Sequence, residues 1–80
     1  MPYTHNGTEY HYAMGSDVNR DGMYLEVCDD PKFFHMVFEI FYSDVTDEMT
    51  ITMSEPNIPI GVVEWALSIA KKRLQPKRGV

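Results

Sequence analysis

Oxygen-bearing side chains recur at alternate positions in the run Asp17-Val18-Asn19-Arg20-Asp21-Gly22. This is the pattern of the first half of a calcium-binding loop, in which several oxygen ligands surround one hard cation and a glycine permits the sharp turn. The twelfth position, where such a loop needs a bidentate glutamate, is Cys28, and the flanking residues have strand patterns. Asp17, Asn19 and Asp21 are therefore calcium candidates, with an ordinary hairpin loop as the alternative.

Two imidazoles, a carboxylate and a thiol form a second candidate set, because strand pairing could bring them together. In the register described below, His11, Glu26 and His35 lie side by side on one sheet face, with Cys28 diagonal to His35. Such groups bind zinc or similar metals, and a cysteine beside a histidine can act as a nucleophile. The two histidines would start about 10 Å apart, and a solvent-exposed face carries such residues without any metal.

No other pattern indicates catalysis. The sequence has no glycine-rich phosphate loop and no nucleophile elbow, and it lacks the spacings of a zinc ribbon or a catalytic triad. The paired acids Asp29-Asp30 and Asp47-Glu48 fall in predicted turns, where turn and cap hydrogen bonds explain them. We therefore expect no enzymatic activity and no cofactor.

The charge of the chain is unevenly distributed. The net charge is −5 over 80 residues. Residues 1–70 contain all twelve acidic residues against Arg20 and Lys32, which gives −10, whereas residues 71–80 carry +5. An acidic body repels phosphate backbones, so neither nucleic acid nor a membrane is expected as a partner. The basic end is typical of a helix C-terminus, where cations complement the helix dipole, with a nucleic-acid or membrane patch as the alternative.

The length predicts one domain over residues 1–80, with residues 1–7 and 75–80 as flexible ends. Cys28 is the sole cysteine, so the chain cannot form an internal disulfide, which suits a reducing compartment. The N-terminus has neither the basic nor the apolar part of a signal peptide. A cytoplasmic location is therefore expected.

Four runs have the period-two alternation of β-strands. They are Thr8–Met14, Met23–Cys28, Phe33–Tyr42 and Met49–Met53. The short connections between them are rich in Asp, Ser and Gly, which favours antiparallel hairpins in a simple meander. One register puts every alternating apolar set on a single face: Met14 opposite Met23, Cys28 opposite Phe33, and Tyr42 opposite Met49.

That apolar face needs a cover, and residues 59–74 supply one. Apolar residues recur there at helical spacing, namely Ile60, Val63, Leu67, Ala70 and Leu74. A second stripe of Val62, Trp65 and Ile69 indicates either a deeply buried helix or a partner surface. The predicted fold is therefore α+β: a four-stranded antiparallel β-meander with one C-terminal α-helix packed on one face.

The opposite sheet face also carries apolar residues, which are candidates for protein binding: Ala13, Tyr24, Phe33, Val37 and Phe41. Clustered apolar groups on a solvent face suggest an interface, unless long side chains or the N-terminal arm cover them. We therefore predict a small acidic non-enzymatic protein-binding domain, with an inhibitor or immunity-type protein as one such role. A basic protein or a second copy would be its partner, and a metal-binding domain is the alternative.

Overall fold

A computed structural model describes residues 2–74 and confirms the predicted α+β class. Five strands are followed by one helix: β1 (Tyr3–His5), β2 (Thr8–Asp17), β3 (Gly22–Cys28), β4 (Met36–Ser43), β5 (Met49–Met53) and α1 (Ile60–Arg73). The strands form one antiparallel sheet in the order β1-β2-β3-β4-β5, a meander with α1 packed against it. The sheet therefore has one strand more than the sequence pattern predicted.

The additional strand is β1, in the segment that was predicted to be a flexible end. Tyr3 pairs with Tyr10 and His5 with Thr8, across a loop of two residues. Asn6 and Gly7 both have positive φ, at 48° and 82°, as the tight hairpin turn that favours Asn-Gly requires. The Asn-Gly pair is thus a hairpin signal in a segment whose composition alone had predicted a loose end. The other predicted flexible end, residues 75–80, lies outside the described residues.

The predicted strand registers are confirmed for one pair and wrong for two. Between β4 and β5, Tyr42 lies opposite Met49, as predicted. Met14, however, pairs with Leu25 rather than Met23. Leu25 pairs with Ile40, where Met36 had been predicted. Both slips are even numbers of residues, so each of these side chains stays on its predicted face.

The start of β4 explains the larger slip. The Asp30 carboxylate accepts hydrogen bonds from the backbone N–H groups of Lys32, Phe34 and His35. These bonds hold residues 30–35 in a loop, and β4 begins only at Met36. The ladder also shifts register between Val27 and Cys28. The predicted strand Phe33–Tyr42 therefore began three residues too early.

Helix α1 covers the core with a stripe that contains the predicted Ala70 and Leu74 and otherwise differs from the predicted one. Its buried residues are Val62, Ala66 and Ala70, followed by Leu74 at the C-cap. Ile60, which was predicted to face the core, is 70% exposed, while Val63 and Leu67 are half-buried. In the stretch that the structure describes, no helix is both long and apolar enough to cross a membrane.

Candidate functional site

The calcium candidates form an ordinary turn. The Asp17 carboxylate accepts hydrogen bonds from the backbone N–H groups of Asn19 and Arg20, at 3.1 and 3.2 Å, and from Arg20 Nε at 2.6 Å. The side-chain bond from Arg20 is the main reason that the pKa of Asp17 is lowered. Within residues 2–74, no three His, Cys, Asp or Glu side chains are placed to hold a metal ion. The geometry therefore gives the calcium hypothesis involving Asp17, Asn19 and Asp21 no support.

The predicted cluster of His11, Glu26 and His35 is not brought together. His11 lies opposite Cys28, and Glu26 lies between Ala13 and Glu39. His35 lies in the loop before β4, so it is not part of the sheet. The cluster depended on the predicted registers, and the two slips separate its members.

His35 instead joins two segments of the chain. One ring nitrogen bonds the Asp29 carboxylate at 3.0 Å, and the other bonds Glu55 at 2.9 Å. The bond to Asp29, followed by the bond to Glu55, raises the pKa of His35. The side chain therefore links the β3–β4 loop to the segment that follows β5.

Cys28 lacks the surroundings of a reactive thiol. Cys28 as a whole is only 1% exposed. Burial, and then the negative charges of Glu26, Asp30 and Asp29, raise the pKa of the thiol. Reactive cysteines need the opposite shift, because the thiolate is the nucleophile. The position of His11 opposite Cys28 therefore does not make an activated pair.

The predicted protein-binding face is the sheet face opposite α1, and much of it is covered. Val37 is buried, Ala13, Tyr24 and Phe41 are half-buried, and Phe33 is 42% exposed. The guanidinium carbon of Arg20 lies 4.1 Å from the centroid of the Phe41 ring. The two terminal nitrogens of the Arg20 guanidinium donate to the Glu39 carboxylate at 3.0 and 2.8 Å. A long side chain thus covers part of the apolar row, which was one of the two predicted alternatives.

Carboxylates collect at one end of the sheet, where the β2–β3 and β4–β5 loops meet. The backbone N–H of Asp44 donates to the carbonyl oxygen of Asp21 at 2.8 Å, which fixes the two loops together. We call this surface the acidic loop end and define it by the side chains of Asp17, Val18, Asp21, Asp44, Val45, Asp47 and Glu48. Arg20 is the sole basic residue in residues 17–22 and 43–48, and its head group bonds Asp17 and Glu39.

Two apolar side chains lie at the tips of these loops. Val18 is 83% exposed and Val45 is 74% exposed. A shallow hollow of about 160 Å³ lies beside Val18, with Asp17, Asp21 and Asp44 in its lining. The acidic loop end therefore combines negative charge with small apolar contacts. Neither loop alone indicates this surface in the sequence, and the meander brings them together because it places alternate loops at the same end of its sheet.

A second open surface lies between β5 and the helix, and we call it the β5 groove. Helix α1 packs against β1, β3 and β4. Beside β5 there remains a groove of about 270 Å³, lined by Ile40, Met49, Thr50, Ile51, Val63, Leu67 and Lys71. Ile51 and Met53 are each 44% exposed. The predicted meander places the strand Met49–Met53 at an edge of the sheet, but the sequence pattern did not predict a groove.

Comparisons with known proteins do not add to these observations. No protein-family model, curated protein or solved structure matches the chain. The features that bear on function are therefore the acidic loop end, the β5 groove and the chemistry of the described side chains.

Proposed function

We propose that this chain is a non-enzymatic protein-binding domain whose acidic loop end docks on a basic surface of another protein. The observation that carries the proposal is the hydrogen bond between Asp44 and Asp21, because it holds two acidic loops as one surface. An inhibitor or immunity-type protein that blocks a basic partner is the role that suits this charge and size.

Electrostatics supports this choice of partner. Residues 17–22 and 43–48 contain Asp17, Asp21, Asp44, Asp47 and Glu48 against Arg20, which gives a net charge of −4. Charge concentrated on one surface speeds the encounter with an oppositely charged partner and disfavours wrong ones. Val18 and Val45, exposed at the loop tips, supply the apolar contacts that an interface core needs.

The side-chain chemistry supports binding over catalysis. The thiol of Cys28 is buried with a raised pKa, and both ring nitrogens of His35 are bonded to carboxylates. Arg20 is bonded to Asp17 and Glu39 and so holds the fold together. These groups serve the structure, whereas Asp21, Asp44 and Glu48 of the acidic loop end are exposed.

The test is affinity capture from source-cell lysate with two immobilised variants of equal charge. One variant neutralises the acidic loop end with Asp21→Asn, Asp44→Asn and Glu48→Gln. The other removes three acids elsewhere with Glu9→Gln, Glu26→Gln and Glu64→Gln. We expect a basic protein to be captured by the wild type and by the second variant, to be lost with the first, and to elute at about 0.5 M NaCl because salt screens the attraction.

The apolar tips are tested in the same experiment. Val18→Ser with Val45→Ser should weaken capture. Phe34→Ser should leave it unchanged, because Phe34 is similarly exposed but lies in the β3–β4 loop, at the other end of the sheet. Capture of the same proteins by both charge variants would contradict the proposal. All variants must first show the circular dichroism spectrum of the wild type.

A further inference from the structure

The outer edge of the sheet is formed by β5, whose sequence is the same in both directions. Met49-Thr50-Ile51-Thr52-Met53 is a palindrome centred on Ile51, and it contains no charge and no proline. Edge strands usually carry a charge, a proline or a bulge that prevents pairing with another chain. The β5 edge has none of these three features within Met49–Met53.

The alternation of hydrogen bonds along β5 fits pairing of this palindrome with itself. Ser43 N–H donates to the Glu48 carbonyl at 3.0 Å, and Ser54 N–H donates to the Val37 carbonyl at 2.9 Å. The even-numbered residues from 48 to 54 are therefore those that bond β4. Because these groups alternate along an antiparallel strand, the N–H and C=O groups of Met49, Ile51 and Met53 point away from the sheet.

We infer that β5 pairs with β5 of a second copy, antiparallel and about a two-fold axis at Ile51. Ile51 then faces Ile51 of the second copy, Met49 faces Met53, and Thr50 faces Thr52. The outward groups make roughly six hydrogen bonds, and the two five-stranded sheets become one continuous sheet. The threonines occupy the non-hydrogen-bonded positions, where side chains approach closest and Thr–Thr pairs are favourable.

The β5 groove provides the apolar part of this interface. An axis perpendicular to the sheet puts both helices on the same face, so the two grooves meet along the new strand pair. Ile51 and Met53, each 44% exposed in one copy, would then be covered. Lys71 is the only charged residue in the groove lining, so no carboxylate lies within the apolar part of the interface.

The other edge of the sheet is less suited to self-pairing. Strand β1 has three residues, and its sequence Tyr3-Thr4-His5 is not self-complementary.

One pair of five-residue strands makes a small interface, so we expect a dissociation constant of about 10 to 100 μM. Glu48 and Glu55 flank β5 at its two ends, and antiparallel pairing brings them near each other. Dimerisation should therefore tighten as salt increases, opposite to the binding of a basic partner.

Sedimentation velocity from about 5 to 500 μM tests this dimer with two matched variants. Thr50→Lys with Thr52→Lys puts like charges opposite each other, and we expect at least about tenfold weaker dimerisation. Thr50→Glu with Thr52→Lys places opposite charges across the pair in the same register, and it should dimerise at least as well as the wild type. Both threonines are exposed and the two variants share Thr52→Lys, so they differ only in the sign of one charge.

A wild type that stays at 9.3 kDa over this range would overturn the inference, as would equal dimerisation of the two variants.

Cross-linking tests the axis separately. Ile51→Cys should form an intermolecular disulfide on mild oxidation, because residues facing each other in a hydrogen-bonded pair have Cα atoms about 5.5 Å apart. Val45→Cys, which is exposed but off the axis, should cross-link much more slowly. Equal cross-linking of both would also overturn it. None of these variants changes the carboxylates of the acidic loop end, so the two proposals can fail independently.

Discussion

At the scale of single residues, His35 couples protonation to folding. It bonds Asp29 and Glu55, and it is attracted to both more strongly when it is protonated. The bond to Glu55 connects residues twenty positions apart, one in the β3–β4 loop and the other in the chain after β5. A change at this one side chain should therefore be seen in the stability of the whole domain.

The first prediction concerns pH. Because the pKa of His35 is raised above its ordinary value of 6.5, its contribution to stability is fully present below that value and is lost as pH rises through the folded-state pKa. His35→Gln should therefore lower the urea midpoint more at about pH 5.5 than at about pH 8.5. Asp29→Asn should reduce the same pH dependence. A midpoint difference between wild type and His35→Gln that is constant with pH would contradict this.

A second residue-scale prediction concerns Gly22, at the start of β3. A Cβ atom there would collide with the backbone carbonyl of Tyr42 and the ring of Phe41. Because a backbone atom cannot rotate away, Gly22→Ala should cost about 1–3 kcal/mol in the free energy of unfolding. Gly15→Ala would meet only the Tyr24 side chain, which can move, so its cost in urea denaturation should be smaller. Equal costs for the two substitutions would show that the close approach at Gly22 is wrong.

At the scale of elements, β1 is connected to the helix by an aromatic stack. The rings of Tyr3 and Trp65 lie 5.3 Å apart at 20°, and Tyr12 meets Trp65 edge-on at 5.8 Å. Trp65 belongs to the second helical stripe, which the sequence left as either buried or partner-facing. The structure resolves this choice for Trp65, since β1 packs against it.

Intrinsic fluorescence tests this arrangement, because Trp65 is the only tryptophan. Tyr3→Ala should shift its emission to longer wavelength as water reaches the indole, with a loss of about 1–2 kcal/mol in the free energy of unfolding. Tyr24→Ala, on the opposite sheet face, should leave the emission where it is. An unchanged emission maximum in Tyr3→Ala would mean that β1 does not cover Trp65.

At the scale of the whole molecule, charge opposes compactness. The chain carries −5 overall, and residues 1–70 carry −10. Folding brings the carboxylates of the acidic loop end together, and like charges at short range destabilise the compact state. The ion pairs of Arg20 offset only part of this, because they involve Asp17 and Glu39 alone.

Salt should therefore stabilise the domain. Raising NaCl from about 20 mM to about 500 mM shortens the screening length from roughly 20 Å to a few ångströms, and the urea midpoint should rise. Calcium chloride at matched ionic strength should give the same midpoint, since the loop carboxylates are not arranged around a metal position. A falling midpoint with NaCl would mean that attractive pairs outweigh the repulsion, and a further rise specific to calcium would revive the Asp17 loop as a cation site.

Much of the fold and part of the candidate site were predictable from sequence. Alternation in the predicted strands identified the core face, and the β4–β5 register was predicted correctly. The acidic residues of both loops were recognised as turn residues, and a meander implies that these loops share one end. The groove was not predictable, because it depends on how far α1 extends across the sheet. The cover of Arg20 over Phe41 is likewise a long-range contact with no signal in local sequence.

The sequence by itself determined which strand residues share the core-facing side of the sheet, because a period of two is a local property of each strand. It could not choose between registers that differ by two or four residues, since such slips leave that pattern unchanged. Between β3 and β4, the hydrogen bonds that hold residues 30–35 in a loop and the shift at Val27–Cys28 made that choice in three dimensions. The tertiary structure thus decided that His11, Glu26 and His35 lie apart and that Asp21 and Asp44 lie together, because side-chain clusters depend on register and loop position.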